Sequence, residues 1–313
     1  MAALPKISIV TPSYNQGKFL EKTILSVLEQ GYSNLEYIII DGGSTDESME
    51  IIRKYADRLT YWVSEPDRGQ SHAINKGFER ATGEIFGWLN SDDWYHPGAL
   101  QAVANAFAAN PEAAAVVGAG EYVDEDGKIV NLSKPKAISL ESIYAWFDEF
   151  FWQPSCFFTS ESWRECGPLD ESLVYAMDLD LWIKMAKKYE FAVIETVLST
   201  SLKHPDAKTT AQAHMSDLAA MEVIINLGEK SGFLKVLGSF SRRLLSFEPY
   251  YLGLLANREQ QLAEREKLIA IRESEVTECV RQIVAMQNSL SWRITRPLRW
   301  LGDLIKTAIS SGK

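Results

Sequence analysis

The chain has 313 residues, enough for one large domain with an extension or for two smaller domains, and its 46% apolar share is ample for a buried core. A formal net charge of −10 argues against duplex nucleic acid as the main partner, and Cys156, Cys166 and Cys279 have neither paired nor metal-ligand spacing, so they read as reduced thiols. No signal peptide precedes the first predicted strand and no apolar run reaches transmembrane length, so a cytoplasmic protein is expected.

In chain order, Lys6-Ile7-Ser8-Ile9-Val10-Thr11 is an apolar run of strand length, followed at once by Pro12-Ser13-Tyr14-Asn15-Gln16-Gly17. Phe19, Leu20, Ile24, Leu25, Val27 and Leu28 then recur at helical spacing. A second strand, residues 35–40, runs into Asp41-Gly42-Gly43-Ser44-Thr45-Asp46, with a helix expected to open there under a Ser44 or Thr45 cap. The polar loop Glu65-Pro66-Asp67-Arg68-Gly69-Gln70 precedes a further helix carrying Asn75 and Lys76. Residues 83–89 read as a short buried strand that ends in Asn90-Ser91-Asp92-Asp93. Paired carboxylates at the rim of a core are costly unless they bind something, and a hard divalent cation takes such oxygen ligands and shares them with phosphate. Strand, polar loop and helix in repetition predict an α/β protein with a mostly parallel central sheet, its ligands beyond the carboxyl ends of the strands.

The loops just quoted resemble, in order, the motifs of family 2 glycosyltransferases of the GT-A fold. The likeness continues through Asn75-Lys76-Gly77, Gln153-Pro154-Ser155-Cys156-Phe157-Phe158, Gly167-Pro168-Leu169-Asp170-Glu171-Ser172-Leu173 and Met177-Asp178-Leu179-Asp180-Leu181-Trp182, and covers roughly residues 5 to 215. The resemblance implies an inverting enzyme that moves a sugar from a nucleotide-sugar donor to an acceptor hydroxyl, of the kind that builds bacterial polysaccharide or O-antigen on a glycan or lipid-linked acceptor.

It also implies roles. Thr11, Pro12 and Tyr14 line the nucleotide, where Tyr14 either covers one face of the base or packs on the sheet at the helix entry. Asp41 accepts the imide N–H of uracil or thymine, which favours UDP- or dTDP-sugars. Arg68, beside a helix start, meets the diphosphate, or is a surface arginine in a solvated turn. Asp92 and Asp93 hold Mg²⁺ or Mn²⁺, one as direct ligand and the other at the ribose or a bound water, with His204 nearby. Where the family often has an acid, this chain has Asn90, which can orient Asp92 or bind a ribose hydroxyl but adds no charge. Asp178 is the candidate base, without the acidic neighbour that the family commonly carries at Met177; the alternative for it is a helix cap. Lys208, Asp180 and Trp182 are candidate diphosphate or acceptor contacts.

Past residue 215 the resemblance fades. Residues 215–256 suggest two or three helices. From there Leu255, Leu262, Ile269, Val276, Ile283 and Leu290 recur every seven residues, with Arg258-Glu259, Arg265-Glu266 and Arg272-Glu273 in phase. Such a stripe predicts a long helix with coiled-coil tendency, or one lying on the catalytic domain, and an assembly partner or second copy through residues 257–290. Residues 289–313 carry net +4, leaving −14 on the rest, and alternate Trp, Leu and Arg, which suits an anionic surface on the inner face of a membrane or a partner protein. The expected domains are thus a catalytic 1–215, a helical 216–256, a heptad helix 257–290 and a basic tail 291–313. Two other functions share parts of this pattern. A sugar nucleotidyltransferase would want a glycine-rich basic loop where residues 11–15 stand, and a non-catalytic scaffold rests only on Asn90 and Met177.

Overall fold

Ile7–Ser13 (β1) and Leu35–Asp41 (β2) are Ile/Val-rich and buried along almost their whole length, as strands covered by helices on both faces must be. In the computed structural model the described residues are 4–148, 150–204, 207 and 213–288. The chain divides into two compact units, Met1–Leu244 and Leu245–Lys313.

The first unit is built on a nine-stranded sheet. Tyr61–Ser64 (β3) and Ile85–Trp88 (β4) complete a parallel half in the order β3-β2-β1-β4. The other half is mixed. Cys156–Thr159 (β8) runs antiparallel to β4 and to Ala115–Val123 (β6), while Phe191–Leu202 (β9) runs parallel to β6. Asp93–Tyr95 (β5) pairs antiparallel with β9, and Ile129–Ser133 (β7) pairs antiparallel with β6. The parallel sheet announced by the β-loop-α repeats is therefore the N-terminal half, which carries the candidate nucleotide loops.

Alternation along the strands sorts the core into two faces. Ile7, Ile9, Tyr37 and Ile39 join one apolar cluster, whereas Val10, Ile38, Ile40 and Trp88 join the other. Gly17–Leu28 (α1) buries Leu20, Thr23, Ile24 and Val27, one stripe at helical spacing. Gln70–Arg80 (α3) lies so close over β1 that a side chain at Gly77 would run into Val10. This seats the loop before α3 beside the ends of β1 and β2. Ser48–Tyr55 (α2) starts later than the Ser44/Thr45 cap predicts, because those residues are engaged elsewhere: Ser44 Oγ donates to Asp41, and Thr45 N donates to Asn15. Asp46 takes over, accepting from the Ser48 backbone N–H at 3.0 Å.

Ala99–Ala109 (α4), Leu140–Tyr144 (α5), Ser160–Cys166 (α6) and Met177–Ala186 (α7) complete the sheet's cover. Ala213–Leu227 (α8) and Glu229–Asn288 (α9) follow, so the region expected to hold two or three helices and then a separate heptad helix is spanned by two. Among the described residues no helix is long and apolar enough to cross a membrane. The basic tail lies outside the described residues.

Candidate active site

The ends of β1 and β2 are locked together by their own polar atoms. Gly42 N donates to Ser13 O at 2.8 Å, Asn15 N donates to Ser44 Oγ at 2.8 Å, and Gly17 N donates to Asp46 Oδ2 at 2.8 Å. Asn15 holds a left-handed backbone, φ 51°, that turns the chain away from the sheet. Burial opposes ionisation of Asp46, yet the hydrogen bonds from Ser48 and Gly17 outweigh it and hold the carboxyl below its usual range. Thr11 and Pro12 are buried within β1, and Thr11 Oγ1 shares a 3.0 Å hydrogen bond with the Tyr37 hydroxyl, so only their backbone can face a ligand. Tyr14 is 61% exposed and free to cover a planar ring.

Asp41 departs from its expected role. Its carboxylate is fully buried and accepts from Gly43 N at 3.1 Å, Ser44 N at 2.9 Å, Ser44 Oγ at 2.5 Å and Ser64 Oγ at 2.6 Å. All four donors belong to the loop or to the end of β3, so Asp41 shapes the loop. Asp41→Ala should therefore destabilise the protein by about 1–3 kcal/mol through the donors left unsatisfied. Chemical denaturation followed by fluorescence checks this, and an unchanged midpoint would return Asp41 to the role of ligand contact.

Arg68 is exposed and pairs with Glu171, Nε to Oε2 2.9 Å and NH2 to Oε2 2.7 Å. An exposed pair of this kind is worth about 0–1 kcal/mol, so a diphosphate can draw the guanidinium away. Asn75 clamps Leu169, accepting from its N–H at 2.9 Å and donating to its carbonyl at 3.0 Å, and Lys76 pairs with Glu65. Both brace neighbouring loops.

At the end of β4, Asn90 sits in a relay. Gln70 Nε2 donates to Asn90 Oδ1 at 2.7 Å, and Asn90 Nδ2 donates to Asp93 Oδ2 at 3.2 Å and to Gln153 Oε1 at 3.3 Å. Asn90 thus orients Asp93, not Asp92. Asp93 is buried in β5; burial first, then the charge of Asp92, pushes its carboxyl well above the usual range. Asp92 keeps part of its surface and lies with Oδ2 3.2 Å from His204 Nε2, across 112 residues of sequence. Pairing of β5 with the end of β9, Asp93 opposite Ser201, makes this meeting possible. His204 is itself buried, packed on Phe19 with ring centroids 4.5 Å apart, and its Nδ1 has no hydrogen-bond partner. Asp92 and His204 form an oxygen-and-imidazole pair that fits a divalent cation completed by phosphate and water. Among the described residues no third such side chain joins them.

Asp178 is the second residue of α7, where its Oδ1 accepts from the Leu179 N–H at 2.9 Å. It is not the cap; Ala176 precedes the helix with φ 56°. Burial raises its carboxyl above the ordinary 3.8. Its charge reaches Cys156, whose thiol is pushed up by burial and then by Asp178. Cys156 directly follows the turn that holds Gln153 against Asn90 and Trp88.

Two expected contacts are engaged inside the fold. Trp182 is fully buried and stacks on Trp88, centroids 5.5 Å and planes 11° apart, so it ties α7 to β4 and faces no acceptor. Asp180 is buried and pairs with Lys184 at 2.5 Å within α7. Lys208 lies outside the described residues. Gln70, Gln153 and Glu171 were missed as individual residues, although each lies inside a motif that the sequence flags; a half-buried glutamine at a helix start or in a turn carries no local signal until its partner is known.

Residues 8–164 match the family described as glycosyl transferase family 2. An uncharacterized glycosyltransferase of Rickettsia typhi is 31% identical over 269 residues, covering 80% of this chain and 84% of that protein. S. aureus TarS 1–349, solved in complex with UDP-GlcNAc, superposes with a TM-score of 0.59 at 18% identity, over 75% of this chain and 72% of the other. The mannosyltransferase PcManGT from Pyrobaculum calidifontis, in complex with GDP-Man and Mn²⁺, gives 0.51 at 18% identity, over 82% and 80%. The two structures share the fold. With half of its length matched by the family and a relative aligned along most of both chains, the protein belongs to glycosyl transferase family 2 and is a GT-A glycosyltransferase.

Proposed function

We propose that the protein is an inverting, metal-dependent glycosyltransferase that uses a UDP-sugar and extends a glycan or lipid-linked acceptor in bacterial polysaccharide synthesis. The observation that carries this reading is the Asp92–His204 pair, 3.2 Å apart at the rim of the parallel half of the sheet. The imidazole turns Nε2 to the carboxylate, so one nitrogen and one oxygen converge where a divalent cation would take both as ligands.

In this reading Tyr14 covers the base, the loop braced by Asp41 supports the ribose side, and Arg68 exchanges Glu171 for the diphosphate. Asp92 and His204 would hold Mg²⁺ or Mn²⁺, which when bound would supply positive charge to the leaving diphosphate. Asp93, kept buried and braced by Asn90, fixes the backbone that presents Asp92. Asp178 accepts the proton of the acceptor hydroxyl as that oxygen attacks the anomeric carbon from the face opposite the diphosphate. The new C–O bond forms while the bond to phosphate breaks, and UDP departs with the bonding pair. TarS, which shares the fold, holds UDP-GlcNAc, which supports a UDP-sugar, and the GDP-Man of PcManGT makes GDP-sugars the comparison in the screen beside dTDP-sugars.

A donor screen scored by release of nucleoside diphosphate tests the proposal. UDP-sugars should be consumed with Mn²⁺ present, whereas a chain that binds and consumes no nucleotide-sugar would be a scaffold. The basic tail is proposed to tether the enzyme to the inner membrane face, each basic residue contributing about 1 kcal/mol near anionic lipid. Full-length protein should pellet with anionic liposomes at low salt, and a chain ending at Asn288 should stay in the supernatant.

A further inference from the structure

The second unit holds an apolar stripe whose repeat also says what covers it. Assigning Leu255 to the first seam position, a, of a heptad places Leu262, Ile269, Val276 and Ile283 at the same position along α9. Leu262, Ile269 and Val276 are 51%, 56% and 62% exposed, far more than large aliphatic groups on a lone helix tolerate without cost. Leu268, Ile269 and Val276 with Arg272, Glu273 and Thr277 line a shallow groove on this stripe.

The other seam position, d, is Arg258, Arg265 and Arg272, then Cys279 and Met286; Glu259, Glu266 and Glu273 follow at e. In a parallel, in-register pair, a residue at d packs beside d and e of the partner, so each arginine has a partner glutamate in reach. An antiparallel pair would set e against e and bring the glutamates together. In the single chain Arg272 turns instead to Glu275, 3.2 Å away, and a pair so exposed is easily exchanged.

We propose that residues 255–288 pair with a second copy of this chain as a parallel, in-register two-stranded coiled coil, neutral at its arginine layers and apolar towards its end. A foreign helix would need the same alternation of charge in the same register, which a second copy supplies by symmetry. The consequence is an assembly that carries two catalytic units.

The full-length protein tests this without reference to activity, so failure here leaves the glycosyl-transfer reading untouched. Light scattering at tens of micromolar should give twice the chain mass. Mild oxidation with copper-phenanthroline should then join the two Cys279 thiols, which release two protons and pass two electrons to the oxidant. Cys156 and Cys166 are buried in the first unit and do not compete. Cys279→Ser should abolish the cross-link and keep the dimer. Ile269→Lys/Val276→Lys should give a monomer whose donor hydrolysis is unchanged, since both side chains are exposed. A monomer from the unaltered chain overturns the proposal. So does a dimer that survives the double lysine variant, or one that Cys279 cannot cross-link.

Discussion

Asp178→Asn is expected to lower sugar transfer by about 10²–10⁴-fold while UDP-sugar affinity and the fold stay as they are. The amide keeps the size and the hydrogen bond to the Leu179 N–H but takes no proton from the acceptor. Transfer assays beside calorimetry of donor binding separate the two effects, and transfer within a few-fold of the unaltered enzyme would mean another base. The raised carboxyl adds two pH signatures. The acidic limb of the transfer rate should lie above the ordinary value of 3.8, because burial favours the protonated form that is inactive as a base. For stability the sign is that of a raised carboxyl: its favourable contribution is present below the unfolded value and is lost as pH rises through the folded one. Asp178→Asn should thus match the unaltered protein in acid and melt at higher temperature near neutrality.

Removing the cation should have an effect of similar size on donor binding. Calorimetry of UDP is expected to show affinity that needs Mn²⁺ or Mg²⁺ and drops by roughly 100-fold or more in EDTA, the range in which loss of even an outer-shell partner acts. Asp92→Ala/Asp93→Ala and His204→Ala should bring binding to that level and make it indifferent to metal. In the double variant, loss of the Asp93 carboxyl also removes the acceptor for Asn90 Nδ2. Asp92→Ala alone is therefore the cleaner probe of the ligand and His204→Ala of its partner. UDP affinity that survives EDTA and both single variants would leave the Asp92–His204 pair a structural contact.

The fold and the loops that make up the candidate site were legible in the chain because their signals are local. A run such as Ile38-Ile39-Ile40 buries on both faces of a strand wherever it is put, and polar loops after three such runs mark the carboxyl ends of parallel strands. The heptad on α9 is equally local, since seven-residue spacing needs no partner to be seen. What the chain left open were roles that depend on distant neighbours. Asp41 read as a free acceptor until Ser64, on the next strand, and its own loop donated four hydrogen bonds to it. Trp182 read as a contact surface until Trp88 stacked against it in the core. Asp92 and Asp93 were equivalent as letters. The β5–β9 pairing separated them, burying Asp93 and setting Asp92 against His204, because register in a sheet is decided by the far strand and no local pattern carries it.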